Sequence, residues 1–403
     1  MSSTKVGFAL LGAGGIHFGC SEGPWNHSAR LELMHDVECV AIINRTESRA
    51  LAALEDRQAN SPNKKVWEKT KIFDSLDVFL QDESKAKCSA IFIGTTANIR
   101  GGTQPPLDVE LRCAEAGLHI FMDKPVTLRP LPEVEDLSRR LAKYQKDKNL
   151  VMQVGYMLRY SPLVVKALEL LEGAHIAMVM ARYHATYSNI EKRFVWDINE
   201  SGGALVDQGG HLIDLMRLFC GDVDLTSIAA VSVDHSYSLE ALPDPPLAEH
   251  TVPESNRIDR ATSGTFKFMS GAIGSVCHSL LLQDVGYETE LEIIADGIRI
   301  IIQDFYKGNG KLLMRRPGQP ETIEVATDDV PIQDCFVGEL SAFVEAVRAK
   351  VSGKEVDICT PPIRSPVSDA IETYRVAKLI TEKASACNTK NSKKRKNCML
   401  VVG

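Results

Sequence analysis

No stretch of the 403 residues approaches the ~20 consecutive apolar residues that cross a bilayer, so a membrane partner is not expected. Met1-Ser2-Ser3-Thr4-Lys5 passes directly into the apolar run Val6–Leu11. That leaves no room for a charged region, an apolar region and a cleavage site, so a secretory signal is not expected either. The ten cysteines contain no CxxC pair and no His/Cys cluster at zinc spacing; buried free thiols in a reducing cytosol are the expectation, and a metal site is not. Net positive charge is also missing. The formal charge of −7 argues against a general nucleic-acid surface, which needs a basic face.

What is present reads as two domains. The chain exceeds the roughly 250–300 residues at which a single core stops growing, and its 44% hydrophobic and 25% charged residues are ordinary globular usage. From residue 5 to about 150, apolar strands at Val6–Leu11, Val37–Ile43, Ala90–Ile93, His119–Met122 and 150–154 alternate with helical periodicity. Strand–helix alternation predicts a parallel sheet with ligands at the carboxyl ends of its strands. Beyond 155 the rhythm changes to longer alternating runs (176–187, 225–236, 263–268, Ile273–Leu282, 288–295, Ile298–Gln303, Lys311–Arg316, 321–325), with helices set apart at 162–171, 209–219 and 366–383. This predicts an α/β chain: a Rossmann parallel sheet over 1–154, then an α+β domain over 155–385 with a large open antiparallel sheet. Residues 241–260 carry four prolines and read as a long loop. The stretch 386–403, basic at Lys390, Lys393, Lys394, Arg395 and Lys396, reads as a disordered tail.

Three stretches carry chemistry. Gly12-Ala13-Gly14-Gly15-Ile16-His17 follows the first strand; Gly12, Gly14, Gly15 and Ile16 would let backbone amides approach a pyrophosphate, although His17 stands where a third glycine is usual. The second strand ends in Asn44-Arg45-Thr46 with no acid. Without a carboxylate to repel a 2′-phosphate, and with Arg45 able to pair with one, NADP(H) is favoured over NAD(H). Asp123-Lys124-Pro125 follows the strand His119–Met122, which sets Lys124 to face the cofactor crevice and polarise a substrate oxygen. Finally, Gly202-Gly203-Ala204-Leu205-Val206-Asp207-Gln208-Gly209-Gly210-His211 places Asp207 and His211 four apart, on one face of a helix start, as a carboxylate orienting an imidazole for proton transfer.

The order GAGG…DKP…SGGALVDQGGHLID resembles the Gfo/Idh/MocA family of oxidoreductases, from residue 5 to about 385. Its most specific part, GGxxxDxGxHxxD, is met in full; the usual E-K-P is D-K-P here. The resemblance implies that Lys124 hydrogen-bonds the reacting oxygen, that His211 is the acid/base, and that Asp207 stands beside it. Asp123, with Thr95, Asn44 and Arg45, would contact the cofactor. Tyr156, Arg159, Tyr160, Arg193 and Trp196, with Asp207 and His211, are candidates to meet the substrate. The implied activity is hydride transfer between NADP(H) or NAD(H) and a secondary alcohol or carbonyl of a sugar, cyclitol or related polyol. The same fold also serves non-enzymatic dinucleotide-binding regulators and reductases of dihydrodiols, C=N bonds or secondary-metabolism intermediates. A homodimer or homotetramer through the C-terminal sheet is the expected assembly. A cytoplasmic location is expected, and the basic tail would also suit a nuclear one. Trp25-Asn26-His27 and the Gly/Pro-rich 98–106 fit no motif.

Overall fold

The computed structural model describes residues 4–20, 23–187, 190, 192–237, 247–283, 286–306, 309–354 and 363–399. The chain packs as two units, Met1–Tyr160 with Asp334–Ile371, and Ser161–Gln333 with Glu372–Gly403. This differs from a plain division at 154/155, because a later segment returns to the first unit. That segment carries the helix Cys335–Val351, which the apolar periodicity alone did not single out. Its Phe343 meets Phe92 and Phe121 edge-on at 5.3 and 5.6 Å, so a late segment completes the core begun at the start of the chain.

In the first unit six strands, β1 (Val6–Leu11), β2 (Val37–Ile43), β3 (Lys71–Phe73), β4 (Ala90–Ile93), β5 (His119–Met122) and β6 (Met152–Val154), form a sheet of order β3-β2-β1-β4-β5-β6. All pairs are parallel. β1, β4 and β5 are buried along their whole length, which explains their unbroken apolar runs. Strand order reverses between β1 and β4, whose carboxyl ends, Leu11 and Ile93, are register partners. This is the crevice where such sheets bind dinucleotides.

The second unit holds eight strands: β7 (Ile176–Thr186), β8 (Val223–Val233), β9 (Ala261–Phe268), β10 (Ile273–Leu282), β11 (Tyr287–Ala295), β12 (Ile298–Gln303), β13 (Lys311–Arg316) and β14 (Gln319–Glu324). Their order is β14-β13-β12-β11-β7-β10-β9-β8. The sheet is antiparallel except that β7 and β10 run parallel, so it is mixed. One face, with Val179, Ala181, Val276 and Leu280, is buried; the alternate residues Arg182, Ile273 and Val231 are exposed. The helix Gly210–Cys220 packs on β7 and β10.

Two irregular segments take a shape their composition did not predict. The last helix is continuous from Val367 to Met399 and so extends through 386–399, expected as a disordered tail. Lys and Arg are good helix formers, and a helix already nucleated upstream propagates into them at little cost. Within 241–260, Leu247–His250 is a helical turn and Glu254–Asn256 a 3₁₀ turn, while 241–246 lie outside the described residues. Both carboxylate oxygens of buried Glu249 accept from Arg260 Nη1, at 2.7 and 2.9 Å, and one accepts the Tyr187 hydroxyl at 2.9 Å, which fastens that loop to the sheet.

Candidate active site

The candidate cofactor residues all follow carboxyl ends of adjacent strands in the first unit. Gly12 leaves β1 at φ +104°, a conformation that L side chains rarely adopt. Gly14 has open space where a Cβ would stand, with nothing within 4 Å, so its backbone can be approached closely. The turn is held from behind. Gly12 donates its N–H to Ile43 O at 2.8 Å, and Ala13 donates to Asn44 Oδ1 at 3.0 Å. Asn44 therefore ties the end of β2 to the turn, where an acid would otherwise sit, and Arg45 beside it is exposed.

The helix after the turn is a single four-residue turn, Gly15–Phe18, ended by Gly19 at φ +87°. His17 is the reason the glycine pattern can be broken. Its ring is buried and donates from Nδ1 to Gly12 O at 2.7 Å, while burial lowers its pKa to about 4 and keeps it neutral. The close approach falls to the next strand instead. A Cβ at Gly94 would stand 2.5 Å from Ile16 Cγ2 and 2.6 Å from His17 Nε2. Trp25-Asn26-His27 has a structural role: the Asn26 side chain caps the helix His27–Leu31 through Ala29 N at 3.0 Å, and His27 is buried against Phe121.

Thr95 follows β4, and Asp123 and Lys124 follow β5; all three are half-buried. Gly155 leaves room for the shortened acid: its Cβ position lies 3.2 Å from Asp123 Oδ1. One residue that no motif marked organises this loop. Arg100 is 1% exposed and spends its donors on Thr95 O (Nε, 2.9 Å), Asp123 O (2.6 Å), Pro125 O (3.0 Å) and Val126 O (2.8 Å). Its charge is met by Glu110 Oε1 at 3.0 Å, itself 0% exposed. Arg100 thus fixes the backbone on both sides of Lys124 and links it to Thr95. The irregular composition of 98–106 was the only hint, because an isolated arginine makes no motif.

In the second unit the glycine-rich stretch builds two successive helical segments, Ala204–Asp207 and Gly210–Cys220, with Asp207 closing the first and His211 near the start of the second. They do not share one uninterrupted helix as expected. The interruption falls at Gln208-Gly209, where a Cβ on Gly209 would stand 2.6 Å from Leu205 Cδ2 and 3.0 Å from Leu205 Cα. His211 is buried and has the Tyr306 ring edge-on at 5.9 Å. The motif's last acid, Asp214, serves the packing instead. It accepts from Thr373 Oγ1 at 3.1 Å, and Thr373 accepts from Arg217 Nη1 at 2.9 Å, which anchors the terminal helix.

The remaining candidates are engaged in structure. Tyr156 is buried at the end of β6. Arg159 is buried in an ion pair with Asp369 and donates to the Arg364 carbonyl, while Tyr160 Oη accepts from Arg364 N at 2.9 Å. Arg193 pairs with Asp197 and Glu200, and buried Trp196 donates to Ile190 O at 3.0 Å.

The turn at Gly12–Gly15, with a glycine at positive φ and an open one at a strand-order reversal, fits a dinucleotide. Comparison with known proteins agrees. Residues 6–156 match the oxidoreductase family with an NAD-binding Rossmann fold, and 159–298 match an oxidoreductase C-terminal domain. An uncharacterised protein of Schizosaccharomyces pombe is 34% identical over 388 residues, covering 93% of this chain and 90% of its own. The scyllo-inositol 2-dehydrogenase (NAD(+)) of Bacillus subtilis is 24% identical over 261 residues, 64% of this chain and 67% of its own. The fold is shared with a solved 3-ketoreductase from Actinomadura kijaniata in complex with NADP (TM-score 0.64, 15% identity, covering 93% of this chain and 96% of that one). With both halves matched in chain order and a relative aligned over nearly its whole length, the chain belongs to the Gfo/Idh/MocA family of NAD(P)-binding oxidoreductases.

Proposed function

We propose that the protein transfers hydride between a nicotinamide cofactor, NADP(H) in preference to NAD(H), and a secondary alcohol or carbonyl of a sugar, cyclitol or related polyol. The observation that carries this reading is that one chain holds both the half-buried Lys124, on a loop pinned by Arg100, and the Asp207/His211 set of the second unit. A pure binding protein has no chemical use for that combination.

When bound, the cofactor supplies the hydride acceptor or donor. Lys124 donates a hydrogen bond to the reacting oxygen and offsets the charge that develops there. His211 takes the hydroxyl proton in the oxidative direction and returns it in reduction, and Asp207 beside it orients the imidazole. The preference for NADP(H) rests on the end of β2, where Asn44 is used on the Gly12–Gly15 turn, no carboxylate stands, and exposed Arg45 is available to a 2′-phosphate.

Fluorescence titration of the purified protein with NADPH and with NADH tests this. Tighter binding of NADPH, lost in Arg45→Ala, is the expected result. Equal affinities remove the role given to Arg45, and binding of neither nucleotide removes the dehydrogenase reading altogether.

A further inference from the structure

The side chain that breaks the glycine pattern is also placed to set the shape of the turn. Gly12 and Ala13 are buried, whereas Gly14, Gly15 and Ile16 still reach solvent. The peptide between Gly12 and Ala13 is trans and planar, so its carbonyl and its N–H leave opposite edges of one rigid plate. A side chain holds each edge. His17 Nδ1 donates to Gly12 O at 2.7 Å, and Ala13 N donates to Asn44 Oδ1 at 3.0 Å. The Gly12 N–H, at the preceding peptide, goes to Ile43 O at 2.8 Å. Three bonds thus fix a segment that glycine by itself leaves free to turn, at a φ of +104° that few other residues adopt.

His17 is held in this role from every side. A carbonyl only accepts, so the ring hydrogen stands on Nδ1, and burial keeps the imidazole neutral with none on Nε2. That bare edge faces Gly94, where a Cβ would stand 2.6 Å from Nε2. The buried His27 ring lies 5.6 Å away on another side, and Phe18 meets the imidazole edge-on at 6.4 Å. With its neighbours packed this closely, the ring cannot swing away from the carbonyl. The groups it leaves available are backbone donors. Among the described residues, the N–H groups of Gly14, Gly15 and Ile16 have no acceptor within the chain.

We propose that His17 is a positioning residue for the cofactor: through the Gly12 carbonyl it locks the turn in the shape that offers the Gly14, Gly15 and Ile16 N–H groups to the pyrophosphate. A turn fixed beforehand need not be ordered when the nucleotide arrives, and the saving appears as affinity. The consequence runs against the sequence pattern. Glycine at position 17 would complete G-x-G-x-x-G, yet it removes the lock and so weakens binding. The pyrophosphate is common to NADH and NADPH, so the effect falls on both alike, unlike the effect of Arg45. The inference rests on dinucleotide binding by the first unit and on no particular substrate.

The test is fluorescence titration with NADPH and with NADH of the wild type and of His17→Leu, His17→Gly and His17→Asn. Leucine keeps the bulk without a donor, and glycine restores the pattern. Asparagine carries its Nδ2 at the same distance along the side chain as the Nδ1 of histidine, so it can remake the bond. Melting curves check that each variant folds. The leucine and glycine variants are expected to raise Kd for both nucleotides by roughly 3- to 10-fold, the worth of one hydrogen bond. The asparagine variant is expected to stay within about twofold of the wild type. Wild-type affinity in the folded leucine variant, tighter binding in the glycine variant, or an asparagine variant as weak as leucine would each overturn the inference. So would a loss confined to NADPH, which would place the effect at the 2′-phosphate. A wild type that binds neither nucleotide would instead bring down the dehydrogenase reading, and this inference with it.

Discussion

In the proposed mechanism Lys124 and His211 divide the labour of one proton and one developing charge, and single substitutions separate them from the cofactor site. Replacing Lys124 by Ala removes a hydrogen-bond donor to the reacting oxygen; replacing His211 by Ala removes the proton acceptor. Each is expected to lower turnover by at least ~100-fold while NADPH binding, read by fluorescence, is retained. Turnover near the wild-type value in either variant would count against the mechanism. Both residues were legible in the sequence because D-K-P and GGxxxDxGxHxxD carry residues at places where the backbone demands them. Gly209, with Leu205 Cα 3.0 Å from where its Cβ would stand, is one such place. Tyr306, edge-on to His211, was not legible. It comes from the turn after β12, and no local spacing marks residues that meet only when strands pair.

Between residue and domain lies the loop that carries Lys124. Its shape depends on a side chain from another connection, since Arg100 reaches across from the segment after β4 to the carbonyls of Asp123, Pro125 and Val126. Glu110, on the helix Val109–Glu115, meets the guanidinium and also accepts from Gly101 N at 2.9 Å. Breaking a buried pair leaves an uncompensated charge. Arg100→Ala is therefore expected to destabilise the protein by about 3–5 kcal/mol, measured by denaturant unfolding. A loss below about 1 kcal/mol would show that the loop is held by other contacts. The Gly/Pro-rich composition of 98–106 announced an irregular segment, but composition cannot say which of its side chains turns inward.

Across the whole molecule, burial of histidine sets the dependence of stability on pH. Burial lowers His17 and His119 to about 4 and His278 to about 3, and it lowers His27 and His184 as well. Their ordinary value is 6.5, so between roughly pH 6.5 and pH 4 the unfolded chain binds more protons than the native one, and stability rises with pH in that window. Glu339 and Asp259, raised by burial, act in the opposite sense above their ordinary values, but they are two groups against five. The expected outcome is a thermal midpoint that falls steadily from about pH 7 to about pH 5, well before the lowered carboxylates Asp56, Asp82 and Asp224 are protonated. A flat midpoint over that range would mean that the histidines are not held neutral in the fold.

The sequence by itself determined the class of fold, the glycine turn after the first strand and the family motif to which the proton chemistry is assigned, because each is encoded over a short span. Unbroken apolar runs specify buried parallel strands, glycines specify backbone that no side chain can follow, and the family motif sits within thirteen consecutive residues. Tertiary structure decided what depends on groups distant in sequence. It brought the helix Cys335–Val351 back to the first unit to complete a core of Phe92, Phe121 and Phe343. It let His17 stand in a glycine position by moving the steric demand to Gly94. It pinned Lys124 through Arg100 and set Tyr306 beside His211. In each case burial decides: a charge, a ring or a hydroxyl taken out of water must find its complement in space, and nothing in the chain order says where that complement will be.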